Sequence, residues 1–358
     1  MTVRIFATEK NWIEGEAVRQ LERAASLPGM EEVVGLPDLH PGKGYPIGAA
    51  FASPDMLYPY LIGNDIGCGV ALWQTDLLFN KFKFERFEKR LANMVKGLDS
   101  ASDGQLALAH AMGTLGGGNH FAELQKLDRI EMEEDFVRLG LKENALTLLV
   151  HSGSRGLGEM ILRDHVDHFR DAGLKADSPE ASSYLARHAE ALIWAQQNRK
   201  ALAETVLSAV SADGVPVLDI AHNFIAQETV AGRALWVHRK GAISSQAQAV
   251  IIPGSRGGLT YLVRPTGDPA VSLHSLPHGA GRKWQRGECR GRLEQKYRHE
   301  DLLRTSLGGR VICRNRDLLY EEAPQAYKNI DTVINDLITH GLAEIIATFR
   351  PVVTVKDL

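Results

Sequence analysis

The period of apolar and polar positions changes along the chain, and each change marks an element. Residues 16–26, EAVRQLERAAS, repeat at helical spacing and stop before Leu-Pro-Gly, which predicts a helix. From 33 to 75 the texture becomes short apolar runs broken by Gly, Pro and Asp: VVGLPDLHPGKGYPIGAAFAS and LIGNDIGCGVALWQTDL. That texture predicts strands joined by functional loops. FKFERFEKRLANMV returns to helical spacing, and ALTLLVHSGSRGLG reads as a buried strand ending in a Gly/Ser loop. Residues 159–210 read as mostly helical, with SSYLARHAEALIWAQQNRKALAETVLSAV the clearest stretch. RALWVHRKGAIS, AQAVIIPGSRGG and LTYLVRP read as strands with turns, NIDTVINDLITHG as a helix with a glycine stop, and VVTVK as a strand. No repeat, low-complexity tract or linker interrupts this pattern. Unevenly mixed helices and strands predict an α+β fold, with residues 1–358 as one domain.

Composition narrows the class without naming a function. Hydrophobic residues at 44% and charged residues at 24% are enough for a sizeable core. A net charge of −3 argues against coating nucleic acid by bulk charge, though not against a local basic groove. No apolar run approaches the ~20 residues of a membrane span. The first residues, MTVRIFATEKNWIEGEAVRQ, show no secretory apolar region. The three cysteines, Cys68, Cys289 and Cys313, are odd in number and widely spaced, so no disulfide framework is expected. The expectation is a soluble cytoplasmic protein.

Candidate chemistry gathers just after apolar runs, where rigid elements present reactive groups. The stretches are PDLHPG (Asp38, His40), GNDIGCG (Asp65, Cys68), GGGNHFAE (Asn119, His120, Glu123), VHSGSRG (His151, Ser152, Arg155) and AHNF (His222, Asn223). One such histidine is usually structural. Four in glycine-rich loops, with Asp-x-x-Cys, point to a metal: Asp65 and Cys68 can turn toward one ion that His120, His151 and His222 complete. Thiolate, imidazole and carboxylate together suit a first-row transition metal, and spacing alone suggests zinc. His165 and His168 have helical spacing in a charged segment and read as a solvated face, as do His110, His188, His299 and His340; His274 stays open. GSRGLG (153–158) and PGSRGG (253–258) have the composition of anion nests, each weak alone. In SLPHGAGRKWQR, Gly279 and Gly281 flank a histidine with residues that permit close approach, and Arg282 and Lys283 suggest an anionic visitor. The competing reading is a tight surface turn.

In this order, DIGCGV, GTLGGGNHFAEL, HSGSRGLG, AHNF, VHRKGA, IPGSRGGLTYLV, HGAGR and EEAPQAYKNIDTVI resemble the RtcB family of GTP-dependent RNA ligases. The resemblance covers about nine-tenths of the chain. It implies an α+β fold peculiar to the family and an enzyme that joins an RNA 3′-phosphate or 2′,3′-cyclic phosphate end to a 5′-hydroxyl end with GTP and two manganese ions. The guanylylated histidine matches His278. The metal ligands match Asp65, Cys68, His120, His151 and His222, with Cys68 bridging. Nucleotide contacts match Asn119, His120, Phe121, Ala122 and Glu123, then His222 and Asn223. They continue through Pro253, Gly254, Ser255 and Arg256 to Thr260, His278, Gly279, Ala280, Gly281 and Lys356. On this reading the small residues beside His278 admit a phosphate and Arg282 faces its charge. RNA is expected along 281–299, through Arg282, Arg286, Arg290, Arg292 and Arg298, against the alternative of a solvated charged face.

Three positions depart from the family pattern: Asn64, Arg256 and Pro277 stand where phenylalanine, methionine and cysteine are usual. Together with IGNDIGCG they look like the branch coupled to a release-factor homologue and assigned to RNA repair. A metal-dependent phosphoesterase acting without nucleotide transfer is the runner-up, and a non-catalytic RNA-binding protein the third reading.

Overall fold

A computed structural model of the protein describes residues 2–99 and 112–357. His110 lies outside the described residues. The helix expected at 16–26 is α1 (Gly15–Ala25), and its apolar stripe buries Ala17, Leu21, Ala24 and Ala25. That stripe packs on one sheet, against Val33 and Phe51. The sheet runs in the order β1 (Thr2–Ile5), β2 (Glu32–His40), β3 (Ile47–Ser53), β11 (Arg233–Lys240), β10 (Asn223–Val230).

The larger sheet runs β13 (Val250–Pro253), β14 (Thr260–Pro265), β17 (Ala343–Val355), β6 (Phe121–Ile130), β7 (Ala145–Ser152), β5 (Gly69–Leu78), β9 (Gly214–Ala221). A further strand, β16 (Arg310–Ile312), pairs with β17. Every residue of β7 is buried because both faces of its strand are covered. Leu146, Leu148 and Val150 face α5 (Pro179–Val210) at Leu202 and Val206, while Leu149 joins Leu262 and Phe349 on the other side. Burial of each such side chain contributes roughly 1.5–3 kcal/mol. Two short pairs complete the strands: β12 (Ala242–Ser244) with β15 (Ser275–Pro277), and β4 (Met56–Leu57) with β8 (Leu174–Lys175). Among the described residues the remaining α-helices are α2 (Phe84–Asp99), α3 (Glu133–Arg138), α4 (Gly156–Phe169), α6 (Arg286–Leu293), α7 (Arg316–Glu321) and α8 (Ile330–Thr339). The mixture is α+β, as expected.

Helix α5 starts cleanly, with Pro179 in its first turn and the Ser178 hydroxyl accepting from the Ala181 N–H at 3.1 Å. In its middle it buries two polar side chains. Arg199 donates to the carbonyls of Gly67 at 2.7 Å and Ser152 at 2.9 Å, and its Nε donates to Asp219 at 2.8 Å. Asn198 donates to the Ser152 hydroxyl at 3.1 Å. One helix thus ties down the residues that adjoin Cys68 and His151.

Two histidine expectations fail. His165 and His188 are buried, not solvated: His165 lies against Phe169 with ring centroids 5.3 Å apart, and His188 Nε2 accepts from the Ile225 N–H at 3.1 Å. Of the charged residues beside them, Asp164 and Arg187 pair with each other at 2.8 Å, and Asp167 and Glu190 are exposed. The strands β9 and β10 are not expected from the sequence pattern, in which only their junction, AHNF, stands out, as a loop.

Candidate active site

The chemistry-bearing loops meet where β5, β7 and β9 line up. Gly69 pairs with Ser152 on one side and Ala221 on the other, so Cys68, His151 and His222 arrive at one end of three adjacent strands. Cys68 Sγ lies 3.2 Å from His151 Nε2 and 3.3 Å from His120 Nε2. His151 Nε2 lies 3.4 Å from His222 Nε2, and His120 Nε2 lies 2.9 Å from Asp65 Oδ2. Two donor groups result, Cys68–His151–His222 and Asp65–Cys68–His120, and the thiol of Cys68 belongs to both.

The ring orientations suit metal binding. His151 Nδ1 lies 3.2 Å from the Asn119 carbonyl, which fits a proton there and an inward Nε2 lone pair. His120 Nδ1 lies 3.0 Å from the Leu115 carbonyl and 3.2 Å from the Arg155 guanidinium, with its Nε2 facing the Asp65 carboxylate. Asp65 Oδ1 is buried without a partner. Lone pairs converging in a dry site repel one another unless a cation lies between them. Without one, burial pushes the Cys68 thiol well up, with Asp65 adding to the effect, and pushes His151 and His222 well down. Burial alone would also raise Asp65, but His120 beside it holds its carboxyl below the ordinary value. A bound cation reverses the thiol's preference and favours thiolate. The donor set fits a metal.

His278 follows β15 and stands beside this group, its ring centroid 4.8 Å from that of His222. The wholly buried Asp38, near the end of β2, places Oδ2 2.6 Å from His278 Nδ1. A carboxylate can only accept, so Nδ1 carries a proton, and in the neutral ring Nε2 holds the lone pair. Gly281 has φ +73°, and a Cβ there would lie 2.3 Å from the Asp38 carbonyl oxygen. Its lack of a side chain therefore lets its own loop close onto Asp38. Asp38 itself was legible in sequence only as a polar loop position; its partnership with His278 was not.

All five metal candidates and His278 line one cleft of about 900 Å³. Asn119, Phe121, Glu123, Asn223, the 253–256 turn, Gly279, Ala280, Gly281 and Lys356 line it too. Ala122 and Thr260 do not. Ala122 is core beneath the cleft, and the Thr260 hydroxyl accepts from Gln125 at 2.8 Å. Glu123 accepts from Gln125 at 2.7 Å and from the Thr354 hydroxyl, and burial lifts its carboxyl to about 7. Arg256 is buried with Nη2 donating to the Leu319 carbonyl at 3.0 Å. His274 is held by Gln246 at 2.8 Å and Glu228 at 3.3 Å, as part of a buried network around Arg239.

Glu322 organises the cationic wall, a role the sequence gave no sign of. It binds Arg282 at 3.0 Å, Arg286 at 3.3 Å and Lys356 at 3.7 Å, and accepts from the Tyr327 hydroxyl. Arg282 also donates to the Glu321 carbonyl at 2.8 Å, so it braces the wall instead of facing the cleft with free donors. Farther out on α6, Arg290 pairs with Glu294 and Asp317, and Arg292 with Glu288. Arg282 and Arg286 reach the cleft; Arg290, Arg292 and Arg298 do not line it.

The family model described as tRNA-splicing ligase RtcB matches residues 20–105 and 93–357 of the chain. The chain is 49% identical over 361 residues to RNA-splicing ligase RtcB2 of Escherichia coli, covering 98% of this chain and 95% of that protein. It is 30% identical to the tRNA-splicing ligase RtcB of Nanoarchaeum equitans, over 99% of this chain and 95% of that one. It is also 30% identical to the RNA-splicing ligase RtcB of Mycobacterium tuberculosis, over 94% of this chain and 100% of that one. With the metal donors and the cleft histidine in one place, these matches establish that the chain belongs to the RtcB family and is an RNA ligase.

Proposed function

We propose that this ligase joins RNA 3′-phosphate or 2′,3′-cyclic phosphate ends to 5′-hydroxyl ends through a guanylate carried on His278. The supporting observation is the 2.6 Å contact of Asp38 with His278 Nδ1, which in the neutral ring puts the lone pair on Nε2, beside the metal donors. His278 Nε2 attacks the α-phosphorus of GTP; a P–N bond forms, the P–O bond to the β-phosphate breaks, and pyrophosphate leaves. Asp38 holds the Nδ1 proton and balances the charge that the ring gains. The guanylate passes to an oxygen of the RNA 3′-phosphate, and His278 departs as a neutral ring. The 5′-hydroxyl then attacks that 3′-phosphorus; a P–O bond to the 5′-oxygen forms, the P–O bond to the guanylate breaks, and GMP leaves with the hydroxyl's proton. A cyclic end is first opened by water to the 3′-phosphate.

Cys68 with Asp65 and His120 would hold one manganese ion, and Cys68 with His151 and His222 the second. Bound there, the ions would neutralise the triphosphate and hold attacking and leaving oxygens in line. The softness of the donors favours zinc in affinity while the family resemblance favours manganese in activity, so zinc is expected to bind and inhibit. The remaining cleft residues of the nucleotide set, from Asn119 to Lys356, would hold GTP. The reading extends to residues 1–358 acting as one domain in the cytoplasm, in RNA repair or tRNA splicing, with a release-factor homologue as partner. No described helix is long and apolar enough to cross a membrane.

The test is intact mass after incubation with GTP and manganese. Wild type gains one guanylate, stable to base and labile to acid, and His278→Ala gains none. A phosphoesterase would show no adduct and would release phosphate from RNA ends without GTP.

A further inference from the structure

Trp12 stands 60% exposed beside the cleft, and the ligase chemistry above makes no use of it. Its exposure is not that of a frayed loop. The preceding residue, Asn11, is buried and donates through Nδ2 to the Pro37 carbonyl at 2.7 Å and to Asp336 Oδ2 at 2.6 Å. Lys328 ties the same place together, donating to the Leu39 carbonyl at 2.9 Å and the Pro37 carbonyl at 3.3 Å. The following residue, Ile13, packs against the core beneath α1. The indole is thus presented by backbone held on both sides, next to the strand that carries Asp38.

Trp12 shares a side pocket of about 380 Å³ with Trp284, Lys283 and Arg292. The Arg292 guanidinium lies 5.2 Å from the Trp284 ring centroid and the Lys283 ammonium 5.9 Å. Glu14 and Glu288 also line this pocket, and Glu288 binds Arg292 at 3.0 Å, so the pocket's two indoles and not a net positive charge distinguish it. Glu14, Lys283, Trp284 and Gln285 line the main cleft as well, so the two spaces adjoin. Aromatic faces among cations are the means by which proteins hold single-stranded nucleic acid, because every base has a face to stack. A site for phosphate alone would need no indole.

We propose that Trp12 and Trp284 form a stacking shelf for an unpaired base of the RNA whose end is processed at His278. The proposal rests on the ligase reading and adds a substrate preference: ends with an unpaired nucleotide bind better than blunt, fully paired ends. Trp284 packs against its own core, so the indole of Trp12 is the member that can be removed without opening the fold.

The experiment measures RNA affinity by fluorescence anisotropy for wild type, Trp12→Ala and Trp12→Phe. The probes are a short single strand with a 5′-hydroxyl, one with a 3′-phosphate, and matching strands with abasic nucleotides next to the reactive end. Trp12→Ala is expected to weaken binding of at least one intact strand by roughly 5- to 100-fold, the range of one base stack. Trp12→Phe should keep most of the affinity, and the difference between variants should vanish on abasic RNA. Equal affinities for wild type and Trp12→Ala would overturn the shelf, and so would an equal loss on abasic RNA. Intact mass on the same wild-type sample separates the two readings. No guanylate on His278 counts against the ligase mechanism, whereas a normal adduct with unchanged RNA affinity in Trp12→Ala counts against the shelf alone.

Discussion

Asp38 Oδ2 and His278 Nδ1 lie 2.6 Å apart although the residues are separated by 240 positions in the chain. The Asp38 carboxylate also accepts from the His278 backbone N–H at 3.3 Å, so it fixes both the ring's tautomer and the loop that bears it. Asp38→Asn keeps the volume and presents an amide, whose N–H₂ can donate to Nδ1 and move the ring proton to Nε2. Self-guanylylation measured by mass should then slow on the order of 100-fold, with unchanged metal content. Unaltered guanylylation in Asp38→Asn would remove Asp38 from the mechanism.

Sharing of Cys68 between two donor groups makes a prediction about metal number. Cys68→Ala should lose both ions, because each group falls to two ligands. His222→Ala should lose one, because Asp65, Cys68 and His120 remain. Metal content after dialysis against manganese, and separately against zinc, reads the difference. Equal stoichiometry in the two variants would refute the shared thiol.

How far the site was legible follows from what each residue's signal is. Cys68, His120, His151 and His222 stood out because reactive groups in glycine-rich loops have few structural uses, and the structure gathers all of them. The partnership of Asp38 with His278, and the roles of Arg199 and Glu322, are illegible for the opposite reason: the partners are distant in sequence, and an isolated carboxylate or a helical arginine is ordinary. Gly281 is legible as a required glycine, but its close approach to the Asp38 carbonyl is not, since sequence shows that space is needed and not every atom that needs it. The apolar run of β7 and the amphipathic stripe of α1 were plain. β17 spans Ala343–Val355, yet only its end, VVTVK, reads as a strand from the sequence pattern. The preceding AEIIATFR carries polar residues and a Pro follows at 351.

Glu123 gives a pH dependence. Burial raises its carboxyl from 4.5 to about 7, against the hydrogen bonds from Thr354 and Gln125 and the charge of Lys356. A group raised this way binds its proton more tightly in the folded chain, so its contribution to stability declines as pH climbs from 4.5 through 7. Reading the N1–H and N2–H donors of guanine needs the ionised form, which only accepts. GTP affinity should therefore rise as pH passes through about 7. Glu123→Gln should flatten that rise and cost roughly 10- to 100-fold in preference for GTP over ATP. Isothermal titration between the two sides of this range checks it, and retained discrimination in Glu123→Gln would exclude guanine recognition here.

Glu322 should govern acid stability. Burial would raise its carboxyl, but Lys356, Arg282 and Arg286 outweigh that and bring it from 4.5 down to about 2. A depressed carboxyl stabilises the fold above its unfolded value and loses that contribution as pH falls from 4.5 toward 2. Glu322→Gln should cost about 3 kcal/mol near neutrality, since it leaves buried cations without their partner. Its stability should also depend less steeply on pH over the acid range than that of wild type. Urea melts at several pH values measure both, and parallel pH curves would show that the cations are balanced by another group.

The basic stretch after His278 divides into arginines that reach the cleft and arginines already occupied on α6. Arg286 lines the cleft and is 48% exposed at its side chain, with one contact to Glu322 at 3.3 Å. Arg290 is held between Glu294 at 3.1 Å and Asp317 at 2.6 Å, well outside it. Each cation that neutralises an RNA phosphate releases condensed counterions and steepens the fall of affinity with salt by ~0.7 per contact for a single strand. Arg286→Ala should therefore lower the slope of log affinity against log salt by about that amount and weaken RNA binding at low salt. Arg290→Ala should change neither, because its charge already has two carboxylates as partners. Anisotropy of one labelled RNA across a salt series reads both variants against wild type. If Arg290→Ala flattens the slope as much as Arg286→Ala, the RNA path runs along the outer face of α6 and not through the cleft.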